Sequence, residues 1–135
     1  MELHQSAEDY LEAILMIKEK KGYVRSIDVA NQLNVSKPSV SYATKRLRES
    51  GYIFFNEDGM INLTESGQKV ASDIYNRHKV LTNFFIRLGV DAEVASEDAC
   101  KIEHDISAES FEKLCTFVNN CGVLKKTKDS NCDNK

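Results

Sequence analysis

The sequence predicts a mainly α-helical protein in which an N-terminal helix-turn-helix with a β-hairpin wing precedes a C-terminal helical part. Three observations support this prediction. Apolar residues recur at three- and four-residue spacing along most of the chain, turn residues separate two short helical segments, and two strand-like runs flank a hairpin turn near residue 58. With 135 residues, 41% of them hydrophobic, the chain can bury one modest core or two small subdomains, and one compact unit is expected.

The first three helices follow from apolar spacing and capping residues. The first helix is predicted over residues 6–20, with Ser6 as its N-cap and apolar residues at three- and four-residue spacing. Ser26 is predicted to cap the second helix. Ser36 is predicted to cap the third, which has Pro38 in its first turn and runs to about Ser50. Helix, turn, helix is therefore the expected order.

A hairpin and a long helix follow. Tyr52–Phe55 and Met60–Leu63 are the predicted strands, and residues 56–59 form the turn between them. Thr64 is predicted to cap a helix of about seven turns that ends near Leu88. This helix is long for so small a protein, which is typical of a helix that crosses between two subdomains.

Two further helices and a tail complete the chain. Asp91 is predicted to cap a helix through about Ile106, and Ser107 another through Asn120. Residues 125–135 are polar and are predicted to be disordered. The expected domains are residues 1–63, 64–124 and the tail 125–135.

Composition and charge restrict the function classes. The sequence has neither an 18-residue apolar stretch nor a signal-peptide layout, which predicts a cytoplasmic protein that does not enter a membrane. The net charge is −3, but residues 24–48 carry five basic residues against one acid. Residues 93–112 carry seven acids against one lysine. A basic segment and an acidic segment therefore coexist.

The basic segment contains the candidate DNA-reading helix. In a helix-turn-helix the second helix lies in the major groove of double-stranded DNA. The polar residues of this helix could alternatively be ordinary solvent-exposed positions with no role in DNA binding. The candidate contacts are Arg25, Ser36, Lys37, Pro38, Ser39, Ser41, Tyr42, Lys45 and Arg46.

The acidic segment contains candidate metal ligands. Cys100, Glu103 and His104 lie within five residues and are predicted to project toward one side of a helix. Asp9 and Glu12 share a face of the first helix by the same spacing. Each residue also has an ordinary structural explanation, but carboxylate, imidazole and thiolate groups together suit a divalent transition metal. His78, in the long helix, is a further candidate ligand.

Five segments carry a family resemblance. They are residues 8–12, 35–41, 63–67, 77–78 and 99–104, with the sequences EDYLE, VSKPSVS, LTESG, RH and ACKIEH. With them the chain, over residues 6 to about 122, resembles the diphtheria-toxin-repressor family of metalloregulators. Within that family it is most similar to the short manganese-responsive branch that lacks a C-terminal SH3-like domain.

The resemblance implies a ligand set for one or two ions per subunit. Mn²⁺ or Fe²⁺ is the expected metal, with Co²⁺ and Zn²⁺ as possible surrogates. Cys100 departs from the manganese branch, which has a glutamate there, and Thr82 and Ser96 replace the acid and histidine of the iron branch's additional site. The implied ligands are Asp9, Glu12, His78, Cys100, Glu103 and His104.

The expected function is that of a divalent-metal-dependent transcriptional repressor of manganese or iron uptake genes. Its C-terminal part would be a helical dimerisation domain, and the homodimer would occupy a palindromic operator. Three alternatives remain at this point: a metal-independent winged-helix regulator, a di-metal helical enzyme, and a thiol redox sensor. The absence of paired Glu-x-x-His motifs counts against the enzyme.

Overall fold

The computed structural model describes residues 5–120 and follows the predicted order of elements. The predicted disordered tail, residues 125–135, lies outside the described residues. None of the described helices is long and apolar enough to cross a membrane. The elements are α1 (Gln5–Lys21), α2 (Ser26–Leu33), α3 (Lys37–Glu49), β1 (Ile53–Phe55), β2 (Ile61–Leu63), α4 (Glu65–Leu88), α5 (Ala92–Ile102) and α6 (Ala108–Asn120).

The chain divides into two compact units, which differs from the single unit expected from composition. The boundary lies within α4, between Tyr75 and Asn76. The 24-residue α4 is long enough to contribute its first turns to one unit and its later turns to the other. The domain limits expected from the sequence, residues 1–63 and 64–124, remain predictions.

The first unit has one hydrophobic core, to which every helix and both strands contribute. The apolar stripe of α1 is buried as its spacing predicts, with Leu11 and Ile14 at most 1% exposed. Burial of such side chains stabilises the fold by about 1.5–3 kcal/mol each. The other core residues include Val24, Val29, Val40, Leu47, Ile53, Ile61 and Ala71.

The start of α2 differs by one residue from the prediction. Arg25, not Ser26, is the N-cap, and Ser26 is the first helical residue. The reason is Asp28, whose carboxylate accepts a hydrogen bond of 2.9 Å from the backbone N–H of Arg25. Asp28 also accepts a hydrogen bond of 2.7 Å from Lys21 Nζ, and these contacts hold the pKa of Asp28 below its ordinary value.

The Asp28→Ala substitution is expected to lower the free energy of unfolding by about 1 kcal/mol near neutral pH. Because the pKa of Asp28 is lowered in the folded state, this contribution is present above the pKa of an unfolded aspartate and disappears as the pH falls through the lowered pKa. Urea denaturation of both proteins at about pH 7 and about pH 2.5 measures this. An equal difference at both pH values would contradict the prediction.

The turn between α2 and α3 and the start of α3 agree with the prediction. Asn34 closes α2 in the left-handed conformation, with φ of 57°. Ser36 caps α3, and its Oγ accepts a hydrogen bond of 3.2 Å from Ser39 N–H. These two residues therefore set the direction in which α3 leaves the turn.

The wing is an antiparallel hairpin in which Ile53 pairs with Leu63 and Phe55 with Ile61. Both strands are one residue shorter than predicted. The side chain of Asn56 closes the turn by accepting hydrogen bonds from the backbone N–H groups of Asp58 and Met60, at 2.9 and 3.0 Å. The hairpin is thus rigidified by a side chain within its own turn.

Thr64 and Gly67 join the wing to α4. Thr64 Oγ1 donates a hydrogen bond of 2.7 Å to the Gly51 carbonyl and accepts one of 3.1 Å from Gly67 N–H, as expected of an N-cap. Gly67 lies directly against the Tyr52 carbonyl, so a Cβ at this position would overlap that oxygen. The Leu63-Thr64-x-x-Gly67 pattern therefore has a structural cause.

In the second unit, α5 is shorter than predicted. Asp91 caps it as expected, by accepting hydrogen bonds from the N–H groups of Glu93 and Val94. It ends at Ile102 rather than near Ile106, because the Ile102 carbonyl accepts from both Asp105 and Ile106 in a tightened turn. Residues 103–106 consequently form a turn rather than the last part of a helix.

Candidate metal centre and nucleic-acid interface

Helix α3 presents the predicted polar face to solvent. Val40, Thr44 and Leu47 are buried on its other side, which leaves the polar positions outside the core. Arg25, at the start of α2, is exposed as well. The exposed candidates on or next to α3 are Ser36, Lys37, Pro38, Ser39, Ser41, Tyr42, Lys45 and Arg46.

The hydroxyl of Ser36 serves the helix itself. It accepts from Ser39 N–H and donates to Ser39 Oγ at 2.9 Å, so both serines are engaged in the cap. Ser41 lies further along the helix and is exposed. Two of the three candidate serines therefore define where the helix begins, and a helix N-terminus is itself a favourable site for a phosphate group.

Tyr42 and Arg46 form a pair one helical turn apart. The guanidinium carbon of Arg46 lies 5.6 Å from the centroid of the Tyr42 ring, and Arg46 Nη1 donates a hydrogen bond of 3.4 Å to the phenolic oxygen. Tyr42 is 65% exposed. The contact pre-positions a positive charge on the outer face of α3.

Lys21, Tyr23 and Arg25 form a second cluster of basic and aromatic side chains. Of these three residues, only Arg25 was predicted as a DNA contact. The ring of Tyr23 lies against Lys21 Nζ at 4.9 Å and against the Arg25 guanidinium carbon at 5.2 Å. Ile61 N–H donates a 2.8 Å hydrogen bond to the Val24 carbonyl and so ties this segment to the wing. The available signal was an aromatic residue between basic residues in the sequence KKGYVR.

In the second unit, Glu103 is the centre of the candidate ligand group. Its side chain is 0% exposed, and Oε1 lies 2.8 Å from His78 Nδ1. Oε2 lies 3.3 Å from Nε2 of His104, whose side chain is 2% exposed. His78 Nε2 in turn lies 3.3 Å from Ser96 Oγ. One carboxylate and two imidazoles are therefore brought together.

The environment of Glu103 fits a divalent cation. Within the described part of the chain, its buried Oε2 accepts no hydrogen bond. A buried carboxylate is costly unless a charge or hydrogen bonds compensate it. A carboxylate beside imidazole nitrogens is a donor set that divalent transition metals prefer.

Helix α1 of the first unit holds the other two carboxylates. Asp9 is half-buried and Glu12 is 6% exposed, although both occur among apolar residues of the same helix. Their three-residue spacing places them on one face, as the sequence predicted. Burial of a glutamate in so small a unit is uncommon and marks Glu12 as a functional candidate.

Cys100 differs from its predicted neighbours. It is an exposed residue, whereas Glu103 is fully buried. Neither Cys100 nor Cys115 is in a disulfide among the described residues, and burial raises the pKa of the Cys115 thiol. A raised pKa disfavours the reactive thiolate.

Two residues sit where the resemblance implies that an additional site has lost its ligands. Ser96 contacts His78 through its hydroxyl, and the buried Thr82 Oγ1 has no hydrogen-bond partner among residues 5–120. Neither side chain is a preferred ligand for a transition metal. The identities of these two residues predict that this additional site is absent, and this stays a prediction.

Two family models match the chain. Residues 2–59 match the model described as "Iron dependent repressor, N-terminal DNA binding domain". Residues 64–126 match the one described as "Iron dependent repressor, metal binding and dimerisation domain".

Relatives over most of the chain are similar in sequence. An uncharacterised HTH-type transcriptional regulator of Methanocaldococcus jannaschii is 39% identical over 86% of this chain and 94% of its own length. The HTH-type transcriptional regulator MntR of Lysinibacillus sphaericus is 32% identical over 93% of both chains.

Solved structures are similar in fold. The manganese regulator SloR has a TM-score of 0.75 and 30% identity, over 84% of this chain and 53% of its own. T. acidophilum IdeR has a TM-score of 0.76 and 27% identity, over 88% and 55%. This chain thus spans about half the length of these solved relatives.

Proposed function

The chain belongs to the iron-dependent repressor family, and from this premise we propose that it is a manganese-responsive repressor of metal-uptake genes. Membership confirms three predictions: the mainly α-helical fold with a winged helix-turn-helix and a dimerisation domain, a metal-dependent DNA-binding regulator, and the absence of enzymatic function. The metal, the ligands, the operator and the homodimer are proposals, and the cytoplasm, where the DNA lies, is the proposed location.

The observation that carries the proposal is the buried Glu103 carboxylate between His78 and His104. We propose that Asp9 and Glu12 of α1, as the resemblance implies, supply carboxylate donors alongside Glu103 and His104. We assign these four as the principal ligands. His78, which contacts Glu103, is the fifth ligand in our assignment, and Cys100 is reserved for a second ion.

The donor chemistry favours manganese over iron. Carboxylate oxygens with imidazole suit Mn²⁺, whereas a thiolate favours softer ions. Cys100, the one thiol of the predicted set, is an exposed residue, which supports the assignment of oxygen and nitrogen donors alone to the buried Glu103 group. Fe²⁺ is the alternative, with Cys100 as a ligand, and Co²⁺ and Zn²⁺ would act as surrogates.

A bound divalent ion supplies positive charge and directional bonds to the carboxylates. Asp9 and Glu12 belong to the DNA-binding unit, whereas Glu103 and His104 belong to the second unit. Ligands from both units, held by one ion, would restrict the freedom of α1 and hence of the helix-turn-helix that packs on it. Ordering before DNA binding lowers the entropic cost of binding DNA.

Residues 64–126 match the family model of a metal-binding and dimerisation domain, which supports a homodimer. A homodimer of a helix-turn-helix protein would bind a palindromic operator. Large apolar side chains of the second unit remain exposed, including Phe117 at 60% and Leu88 at 65%. We propose that these side chains take part in the dimer contact, since burial in an interface would remove their apolar surface from water. In a dimer, two copies of α3 would occupy successive major grooves, as palindromic half-sites require.

An anaerobic titration tests the proposal. The metal-free protein is titrated with Mn²⁺, Fe²⁺ and Co²⁺, and its binding to the upstream DNA of metal-uptake genes is followed by fluorescence anisotropy. We expect tight DNA binding only with metal. A thiolate absorption band of the Co²⁺ protein that is absent from Cys100→Ser would favour iron as the metal. DNA binding of equal affinity with and without metal would contradict the proposal and indicate a metal-independent regulator.

Arg46→Ala is expected to weaken binding to all DNA sequences to a similar extent. Loss of one phosphate contact reduces the slope of log affinity against log salt by about 1. Anisotropy titrations at several salt concentrations measure this slope, with Lys69→Ala on exposed α4 surface as the matched control. An unchanged slope for Arg46→Ala would exclude Arg46 from the interface.

A further inference from the structure

Arg77, which is not itself a proposed ligand, contacts the segment that carries Glu103 and His104. It precedes His78 on α4 and is partly buried. Its Nη1 donates hydrogen bonds to the carbonyl of Ile106 at 2.6 Å and to the carbonyl of Glu103 at 3.2 Å. Its guanidinium carbon lies 5.4 Å from the centroid of the Phe111 ring. One side chain thus joins α4, the turn 103–106 and α6.

These contacts occur where the backbone needs them. The last carbonyls of a helix lack partners within it, and a cation near a helix C-terminus is favourable. Glu103 is the C-cap of α5, so its carbonyl belongs to such an end, whereas the Ile106 carbonyl lies in the turn that leads from α5 to α6. Charge-assisted hydrogen bonds of this kind are stronger than neutral ones. Arg77 therefore fixes the path of the turn that contains Glu103 and His104.

Two consecutive residues of α4, Arg77 and His78, contact the backbone and the side chain of Glu103, respectively. Arg77 binds its backbone carbonyl, and His78 contacts its carboxylate at 2.8 Å. We propose that Arg77 is a positioning residue that pre-forms the Glu103 and His104 part of the metal site before the ion binds. The inference rests on the proposed function, since it takes these two residues as ligands.

Arginine has properties here that lysine lacks. Its planar guanidinium can stack on Phe111 while it donates to the carbonyls, whereas a lysine ammonium is a flexible, strongly hydrated point charge. Arg77→Lys keeps the charge and one donor group near the turn, but it loses the stacking plane. Arg77→Met keeps only the length. Metal affinity should therefore decrease in the order wild type, Arg77→Lys, Arg77→Met.

The test uses the full chain and Mn²⁺, with free Mn²⁺ measured by electron paramagnetic resonance. We expect the dissociation constant to rise about 10-fold in Arg77→Lys and up to about 100-fold in Arg77→Met, the range for outer-shell partners. Arg87→Lys, the same chemical change at an exposed position of α4, is the matched control and should bind like wild type. Circular dichroism of the metal-free variants selects a temperature at which all are folded.

A spectroscopic readout separates positioning from a general loss of stability. At saturating Co²⁺, displaced ligands shift the d–d absorption bands of Arg77→Lys, whereas a less stable but unchanged site keeps the wild-type spectrum. Wild-type affinity and spectrum in Arg77→Lys would overturn the inference. So would a loss of affinity with an unchanged spectrum. Wild-type affinity in Glu103→Gln would instead overturn the proposed function.

Discussion

Glu103→Gln is expected to remove high-affinity metal binding and, with it, metal-dependent DNA binding. Glutamine has nearly the same shape but no charge, and Glu103 is a fully buried carboxylate between His78 and His104. The dissociation constant for Mn²⁺ should rise by more than the ~10–100-fold cost of losing an outer-shell partner. Isothermal titration calorimetry measures the affinity, and thermal unfolding with and without Mn²⁺ measures the metal-induced stabilisation.

The stability of the metal-free variant makes this prediction specific. Because a buried charge without full compensation is costly, metal-free Glu103→Gln should be as stable as wild type or more stable. Wild type should gain about 2.7 kcal/mol at a metal concentration 100 times the dissociation constant, and the variant should gain nothing at that concentration. Glu109→Gln changes an exposed acid of α6 and should behave like wild type. Equal stabilisation of wild type and Glu103→Gln by Mn²⁺ would show that Glu103 is not a ligand.

Gly67→Ala is expected to destabilise the first unit by about 3 kcal/mol. A Cβ at Gly67 would overlap the Tyr52 carbonyl oxygen and would lie 3.3 Å from a methyl carbon of Leu63. The overlapped atom is backbone, so relief requires the wing and the start of α4 to move apart. Urea denaturation followed by circular dichroism measures the change in the free energy of unfolding.

The sign of the Gly67→Ala effect is informative. In an unhindered helix, replacement of glycine by alanine stabilises by about 1 kcal/mol, so helix propensity alone predicts the opposite result. Ser66→Ala, at an exposed position in the same turn, is the control and should change stability only slightly. A Gly67→Ala protein as stable as wild type would show that α4 and the wing are not in close contact.

The sequence was sufficient for the helices and caps that depend on local interactions. Ser36, Thr64 and Asp91 cap the helices for which they were predicted, because a cap is formed by hydrogen bonds over two or three residues. The three- and four-residue spacing of apolar residues in α1 identified its buried face, because this spacing is a local property of the helix. The family resemblance, carried by five short segments, was confirmed by the matching family models.

Predictions based on longer-range contacts were less successful. Helix α5 was expected to continue to about Ile106, since helical spacing through the sequence ACKIEH gives no stop signal. The helix ends at Ile102, and Arg77 of α4, 26 residues before Glu103, binds the carbonyls beyond that end. Spacing also grouped Cys100 with Glu103; Cys100 is an exposed residue and Glu103 a buried one, and the assignment of Cys100 as a ligand stays a prediction.

The sequence by itself determined the order of elements, the polar face of α3 and the chemical identity of the candidate ligands, because these depend on side-chain type and periodicity. Only the tertiary structure decided which candidates share an environment. Burial of Glu103 and its contact with His78, 25 residues earlier in the chain, arise from packing between α4 and the turn after α5. Spacing along one helix contains no information about such packing.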